Sequence, residues 1–383
     1  MKLKKYVSLI LALFLLQSCA SKRSNKVENN QYAAYQSIID SIYQNNPESI
    51  GIMAHIESPK KGISWSGSIG YSDAENKTNL EPDQPALIAS SIKTYISASI
   101  LRLQETNKLS IEDAIKDHLS EKTIKLFEDD GYNLKQIKIK HLLSHTSGIE
   151  DYANDEYLDW VDKHQKHRWT RDEQLKLTIK VGDPLGTPET VFNYADANYL
   201  LCTEIIENVT TKPFYEALRE LLKYDELGLL NTWFPTLETK HNETKPLVHQ
   251  YWGAKKWDSY NHDISWDLYG GGGIATTTKE IAEFSYLLFN DKIIEDEKIL
   301  DLISTPITTK DGKDNKYGLG LSIGAVNGYK SYGHGGFWGT VVLYFPELDS
   351  SIAVYILERD EAKLRKDVLE ALVFQLVKEE LKN

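Results

Sequence analysis

The chain has 383 residues, of which 41% are hydrophobic and 26% charged, as is typical of a soluble globular protein. Its formal net charge is −12, and this becomes −15 once the three lysines within the first 18 residues are removed. A protein this acidic is not expected to bind nucleic acid or anionic lipid surfaces.

The first 30 residues have the layout of an export signal. Three lysines precede an apolar run over 6–16 that is too short for a membrane span. Residues 16–19, LQSC, resemble the lipobox of bacterial lipoproteins, in which cleavage leaves an acylated cysteine at the new N-terminus. We expect a signal peptide over 1–18, then acylated Cys19 and a polar tether over 19–30. An ordinary cleaved signal is the alternative.

This assignment carries an expected location and a consequence for the cysteines. The protein would be an exported lipoprotein, held at a membrane only by its lipid and facing the periplasm or the cell surface. Cys202 is the one other cysteine, so no disulfide can form within the mature chain.

The remaining chain is predicted to carry helix and strands at both ends and helices between them. Apolar residues at helical spacing predict an amphipathic helix over 31–46, followed by two strands, GIMAHIES and ISWSGSIGY. Helical signals dominate from about 105 to 250, with capping boxes at Ser110 and Thr170. A further cap at Thr277, strand-like residues over 316–357 and a helix over about 361–382 complete the pattern.

This order of elements predicts an α+β fold, an α/β sandwich. Its antiparallel sheet would be flanked by the N- and C-terminal helices, with an all-helical lobe inserted. The α/β lobe would comprise about 31–115 plus 255–383, and the helical lobe about 116–254.

Ser90, Ser91 and Lys93 interrupt the otherwise apolar segment ALIASSIKTYISASI at 86–100. If a helix spans 90–104, positions three apart share a face, so Lys93 reaches Ser90 whereas Ser91 points elsewhere. A desolvated amine beside a serine at a helix N-terminus can activate the hydroxyl as a nucleophile. An N-cap serine and a surface lysine would give the same spacing, so support must come from other segments.

Two further segments supply candidate groups. FNYADANY at 192–199 places the Tyr194 hydroxyl and the Asp196 carboxylate two residues apart. SYGHGGFWGT at 331–340 places His334 beside Gly335 and Gly336, where a substrate could lie against bare backbone.

Together these motifs resemble the serine β-lactamase and penicillin-binding-protein superfamily. The likeness is to its class C β-lactamase-like branch of D,D-carboxypeptidases, D-aminopeptidases and esterases, and it covers nearly all of 31–383. Further landmarks in the family's order are HLLSHTSGIEDY at 141–152, YDELGLLNTWF at 224–234, GGGGIATTTKEIAEF at 270–284 and YGLGL at 317–321.

The resemblance implies a role for each site residue and a β-lactamase/transpeptidase-like fold. Ser90 would form an acyl-enzyme, with Lys93 and Tyr194 sharing the proton transfers and Tyr194 the expected base. The backbone N–H groups of Ser90 and of Phe337, after Gly335 and Gly336, would form the oxyanion hole. Neither a metal nor an organic cofactor would be required.

Two departures from the family pattern bear on the substrate. Asp196 stands where asparagine is common, and its charge should favour the ammonium form of Lys93 and repel a substrate carboxylate. His334 stands where lactamases carry a lysine, and it offers less positive charge at neutral pH.

We therefore expect a serine hydrolase that cleaves an ester or amide, D-amino-acid peptides included. The partner would be a small-molecule or peptide substrate. Two alternatives remain open: a true class C-like β-lactamase, and a catalytically degenerate relative that binds cell-wall fragments or a protein partner.

Other conspicuous residues have plainer explanations. His145 suggests a Ser-His pair with Ser144 or Ser147, but this segment is structural in the family. No cysteine cluster or H-E-x-x-H motif indicates a metal. The aromatic residues between 252 and 269 could line a cleft or pack a long loop.

Overall fold

The computed structural model describes residues 32–312 and 315–380. The predicted signal peptide, Cys19 and the tether lie outside these residues. The strands are β1 (Gly51–Ser58), β2 (Ile63–Asp73), β3 (Thr78–Asn79), β4 (Ala86–Leu87), β5 (Tyr251–Trp252), β6 (Trp257–Asp258), β7 (Ala275–Thr276), β8 (Ser322–Val326), β9 (Tyr329–Gly336), β10 (Thr340–Phe345) and β11 (Ser350–Ile356).

Helices occupy both ends of the chain and most of its middle. They are α1 (32–44), α2 (Ile92–Glu105), α3 (Glu121–Asp129), α4 (Ile139–Leu143), α5 (Asp155–Lys163), α6 (Arg171–Val181), α7 (Asp196–Thr210), α8 (Phe214–Leu221), α9 (Tyr224–Leu227), α10 (Thr278–Leu288), α11 (Glu297–Ile303) and α12 (Ala362–Glu380). Within the described part of the chain, no helix combines the length and the apolarity needed to cross a membrane.

A seven-stranded antiparallel sheet organises the fold, in the order β3-β2-β1-β11-β10-β9-β8. The central strands β1 and β11 pair from Ile52↔Ile356 to Glu57↔Ser351 and are buried along their whole length. Side chains alternate between the faces of a strand, so both faces must be covered. Helices α1 and α12 pack on one face and α10 on the other.

The predicted α+β architecture with helices at both ends of an antiparallel sheet is confirmed. Helices α3 to α9 lie between the strands β4 and β5, where helical signals dominate the sequence. Not every predicted cap is followed by a helix. Thr170 caps α6 reciprocally with Glu173, and Thr277 caps α10, as predicted. The exact boundaries of the two lobes stay a prediction.

The helix expected after Ser110 is absent. Asp113 does accept a hydrogen bond from the Ser110 N–H at 2.8 Å, as in a capping box. Ala114, however, is extended and forms an antiparallel bridge with Lys138, and only a 3₁₀ turn at Ile115–Asp117 follows. Pairing with a distant segment therefore overrides the local helix signal.

The strand expected from residue 316 begins only at Ser322. Gly320 has a φ of +81°, and the Gly318 N–H donates to the Leu321 carbonyl, so the chain turns here. A Cβ at Gly320 would lie 2.6 Å from the Lys93 carbonyl oxygen. The glycines of this segment thus allow the backbone to pack tightly against α2.

Candidate active site

Ser90 lies in a 3₁₀ turn, Ala89–Ser91, that leads directly into α2. Strand β4 holds the start of this segment by pairing with β7, from Ala86↔Thr276 to Leu87↔Ala275. The sequence predicted a helix from residue 90, and the α-helix begins two residues later. Ala89 has a φ of +43°, which an L-residue with a side chain rarely adopts. The strain lies immediately before the candidate nucleophile.

Lys93 is completely buried and has two polar partners. Its Nζ donates to Ser90 Oγ at 3.1 Å and to Asp196 Oδ1 at 2.6 Å. The predicted three-residue contact between Lys93 and Ser90 is present. Ser91 points elsewhere, because its hydroxyl donates to the carbonyl of His334 at 3.3 Å.

Tyr194 and Asp196 enter the site from the N-terminus of α7. The Lys93 ammonium lies 5.0 Å from the centre of the Tyr194 ring. Tyr194 is 36% exposed, yet its hydroxyl lies among protein groups and meets the Ser90 hydroxyl. Burial, followed by the charge of Asp196, raises the pKa of Tyr194 well above its usual value. Tyr194 is therefore protonated at neutral pH.

Two carboxyl groups that the sequence motifs did not single out complete this region. Asp151 Oδ1 accepts the backbone N–H of Asp196 at 3.0 Å, and burial together with the charge of Asp196 raises the pKa of Asp151 to about 7. Asp267 is 7% exposed, and the same two causes raise its pKa well above the usual value. Asp151 belongs to the segment SGIEDY and Asp267 precedes the tetraglycine, so only their proximity in space reveals them.

His334 lies on β9 and is electrically neutral. Its Nδ1 lies 2.6 Å from the Gly335 carbonyl oxygen and must donate to it, so Nε2 accepts the Tyr317 hydroxyl at 3.0 Å. Burial, reinforced by the positive charge of Lys93, lowers the pKa of His334 to about 4. His334 therefore adds no positive charge at neutral pH.

The end of β9 is pressed against the turn that carries Ser90. A Cβ at Gly336 would lie 2.1 Å from the Ile88 carbonyl oxygen, so only glycine fits there. Gly335 pairs with Val341 within the sheet. Phe337 follows in a turn, and its backbone N–H has no acceptor among residues 32–312 and 315–380. A free donor thus stands beside the serine turn.

His145 lies against the site but is not paired with a serine. Its Nδ1 accepts the Ala195 N–H and the Asn198 side-chain amide, both at 3.2 Å, and its ring lies 4.2 Å from that of Tyr194. Burial lowers the pKa of His145 well below its usual value. His145 thus supports the backbone that carries Tyr194, in agreement with a structural role.

The conspicuous tryptophans of the sequence pack in the interior of the protein. Trp252, Trp257 and Trp266 are buried, and Trp252 and Trp266 contact the Phe337 ring with centroids 5.3 Å apart. They form one wall behind the turn that follows β9. Within the part of the chain that the structure describes, no group of three His, Cys, Asp or Glu side chains could hold a metal ion.

The chain belongs to the beta-lactamase family, which matches residues 51–373. It is 26% identical over 265 residues to PbpX of Bacillus subtilis, a candidate penicillin-binding protein, covering 69% of this chain and 60% of PbpX. It is 27% identical over 228 residues to a D-aminopeptidase of Cereibacter sphaeroides, covering 58% of this chain and 42% of the relative. The chain therefore spans less than two thirds of either relative.

A solved structure shares the fold over almost the whole chain. The D-amino acid amidase of Ochrobactrum anthropi superposes with a TM-score of 0.72 at 21% identity, over 90% of this chain and 99% of the amidase. At this identity the likeness establishes the fold, and it confirms the β-lactamase-like architecture implied by the motifs.

Proposed function

We propose that the protein is a serine hydrolase that cleaves an ester or amide through an acyl-enzyme on Ser90. The observation that carries this proposal is the fully buried Lys93, whose Nζ donates to Ser90 Oγ at 3.1 Å while Asp196 holds it in place. A surface lysine beside an N-cap serine would not be buried or fixed in this way.

The first half-reaction forms a bond from Ser90 Oγ to the substrate carbonyl carbon, and the carbonyl oxygen becomes an oxyanion. The backbone N–H groups of Ser90 and Phe337 would stabilise that oxyanion, because each donor is fixed before the charge develops. Collapse of the intermediate breaks the bond to the leaving alcohol or amine, which departs with a proton. Water then attacks the acyl-enzyme and restores the Ser90 hydroxyl as the acid product leaves.

The proton would move through Tyr194. Since the Lys93 ammonium already donates to Ser90 Oγ, the Ser90 proton is free to point to the Tyr194 oxygen. The raised pKa keeps Tyr194 protonated, so it would accept the serine proton while passing its own to the leaving group. Lys93 would stabilise the negative charge that develops on Ser90 and Tyr194.

The charges of the site support neutral or cationic substrates over β-lactams. Penicillins carry a carboxylate, and the position that a lysine would occupy in lactamases holds neutral His334. Asp196 adds negative charge close to the serine. A named relative is a D-aminopeptidase and the superposed structure a D-amino acid amidase, which supports testing amino-acid amides and esters first.

Labelling with a fluorophosphonate probe followed by peptide mass analysis tests this function directly. We expect one adduct on Ser90, lost in Ser90→Ala and kept in the neighbouring control Ser91→Ala. An adduct on another residue, or none on a folded protein that also fails to hydrolyse a panel of esters and amides, would refute the hydrolase. The second result would favour a family member that only binds cell-wall fragments or a protein partner.

We also propose that the protein is exported as a lipoprotein acylated on Cys19 and acts on small molecules or peptides outside the cytoplasm. The basic start, the short apolar run and LQSC support this location, and the acidic composition argues against nucleic acid as a partner. Fatty-acid labelling of the expressed full chain should be lost in Cys19→Ala. Equal labelling of both proteins would contradict acylation at this cysteine.

A further inference from the structure

The site holds more carboxyl groups than acyl transfer to Ser90 requires. Asp196 Oδ1 accepts a hydrogen bond from Lys93, and this leaves Asp196 Oδ2 available to another partner. A Cβ placed on Gly271 would lie 3.1 Å from Asp196 Oδ2 and 2.6 Å from Asp267 Oδ1. These two side chains therefore meet beside the same stretch of bare backbone.

Asp267 is a buried carboxyl group without a hydrogen-bond donor. It is 7% exposed, no donor among the described residues reaches its side chain, and neither of its oxygens is fully enclosed. Burying an acidic group in this way is unfavourable unless a cation or a donor completes it. The raised pKa of Asp267, which follows from its burial and the charge of Asp196, is a further sign of that cost.

The unpaired carboxyl group lies close to the residue that precedes the nucleophile. A Cβ on Gly272 would lie 2.0 Å from Asp267 Oδ2 and 2.8 Å from the Cα of Ala89, the residue before Ser90. On the other side, the Lys93 ammonium bridges Ser90 Oγ and Asp196 Oδ1. A cation between Asp196 and Asp267 would therefore lie close to a carbonyl group attacked by Ser90.

Carboxyl groups outnumber ammonium groups in this region. Lys93 is the cation that acts on Asp151 and Asp267, and it already pairs with Asp196. Three carboxyl groups thus share one ammonium. Since no group of three metal-ligating side chains occurs in the described residues, an organic cation fits this site better than a metal ion.

We propose that Asp267 and the free oxygen of Asp196 bind a protonated amine next to the scissile carbonyl, so that the substrates are amino-acid amides, esters or peptides with a free N-terminal amine. This assignment rests on the proposed hydrolase function and names its substrate class. A primary ammonium has three donors and is small enough to lie against the glycine backbone between two carboxylates. Asp267 is then a substrate-binding residue rather than a member of the proton-transfer machinery.

Substrates with and without the amine test this inference. The kcat/KM values of D- and L-alanine p-nitroanilide are compared with that of propionyl p-nitroanilide, which lacks the amine. We expect one alanyl compound to exceed the propionyl compound by at least about tenfold in the natural protein. The excess should fall to about twofold or less in Asp267→Asn, while the surface control Asp301→Asn keeps it.

Binding of these compounds to the Ser90→Ala variant distinguishes this inference from the proposed hydrolase function on which it rests. In this variant, calorimetry should show the same preference for the alanyl compound without turnover. A binding preference without turnover in the natural protein would uphold the cation site and refute the hydrolase. Turnover of both compounds at similar rates, or an undiminished preference in Asp267→Asn, would overturn the cation site alone. If Asp267→Asn does not fold, the ratio in the natural protein decides, and a value near one overturns the proposal.

Discussion

The Lys93 ammonium lies 2.6 Å from Asp196 Oδ1 and 3.1 Å from Ser90 Oγ, so its shorter contact is the ion pair with Asp196 and not the hydrogen bond to the serine. Lys93 is completely buried and Asp196 nearly so, and such pairs are sensitive to the loss of either member. This geometry supports the proposed electrostatic role of Lys93 and the proposed proton transfer through Tyr194.

Replacing Asp196 with asparagine should therefore destabilise the protein. The amide keeps an acceptor near Lys93 but removes the charge that balances a buried ammonium. We expect the free energy of unfolding to fall by about 2 kcal/mol, measured by urea denaturation at neutral pH. Asp301→Asn, which removes the same charge from an exposed position, should change it by less than about 0.5 kcal/mol. Equal stability of the two variants would contradict a structural ion pair.

Removing the Tyr194 hydroxyl should impair catalysis without unfolding the site. Tyr194→Phe keeps the ring that packs on His145 and loses only the oxygen that meets Ser90. We expect kcat for ester hydrolysis to fall about a hundredfold. Tyr260→Phe is the matched control, because Tyr260 is exposed and its hydroxyl donates to the Leu247 carbonyl. A loss within twofold in Tyr194→Phe would exclude it from proton transfer.

Local periodicity and motif order were sufficient to predict the architecture and the contact between Ser90 and Lys93. Helical spacing decides which side chains share a face, and that rule holds wherever the helix forms. Strand pairing does not follow such a local rule. The signal at Ser110 failed because Ala114 pairs with Lys138, a contact between distant residues.

The acidic residues of the site could not be predicted because charge in a folded site depends on what lies next to it in space. Asp151 and Asp267 occupy ordinary sequence positions, 116 residues apart by number, and each lies near Asp196 only in the folded chain. The neutrality of His334 likewise arises from burial and from Lys93, which sequence spacing does not reveal.

Asp151 should make the stability of the protein depend on pH in an unusual direction. Its pKa is raised to about 7 in the fold, whereas an unfolded aspartate titrates near 3.8. The folded state therefore binds more protons between these values, and its stability contribution is lost as the pH rises through about 7. Asp196 and Lys93 act on the same group: the charge of Asp196 raises the pKa of Asp151 and that of Lys93 lowers it.

Asp151→Asn removes this titration while keeping an acceptor for the Asp196 N–H. The free energy of unfolding of Asp151→Asn, minus that of the natural protein, should be more positive at pH 8 than at pH 5 by about 1 kcal/mol or more. Urea denaturation at both pH values provides the comparison. The same difference between variant and natural protein at pH 5 and pH 8 would show that Asp151 does not titrate in this range.

The contact between Gly336 and the serine turn should be essential for catalysis. A Cβ at Gly336 would lie 2.1 Å from the Ile88 carbonyl oxygen and 2.4 Å from Thr340 Oγ1, so alanine must push the end of β9 away from the turn that carries Ser90. That displacement separates the two proposed oxyanion donors, and losing one such donor costs about a hundredfold or more in kcat. Gly324→Ala is the control, because its Cβ would approach only Ser331 Oγ, at 3.5 Å. If Gly336→Ala folds, as judged by circular dichroism, and retains full ester hydrolysis, then the Phe337 N–H is not part of the oxyanion hole.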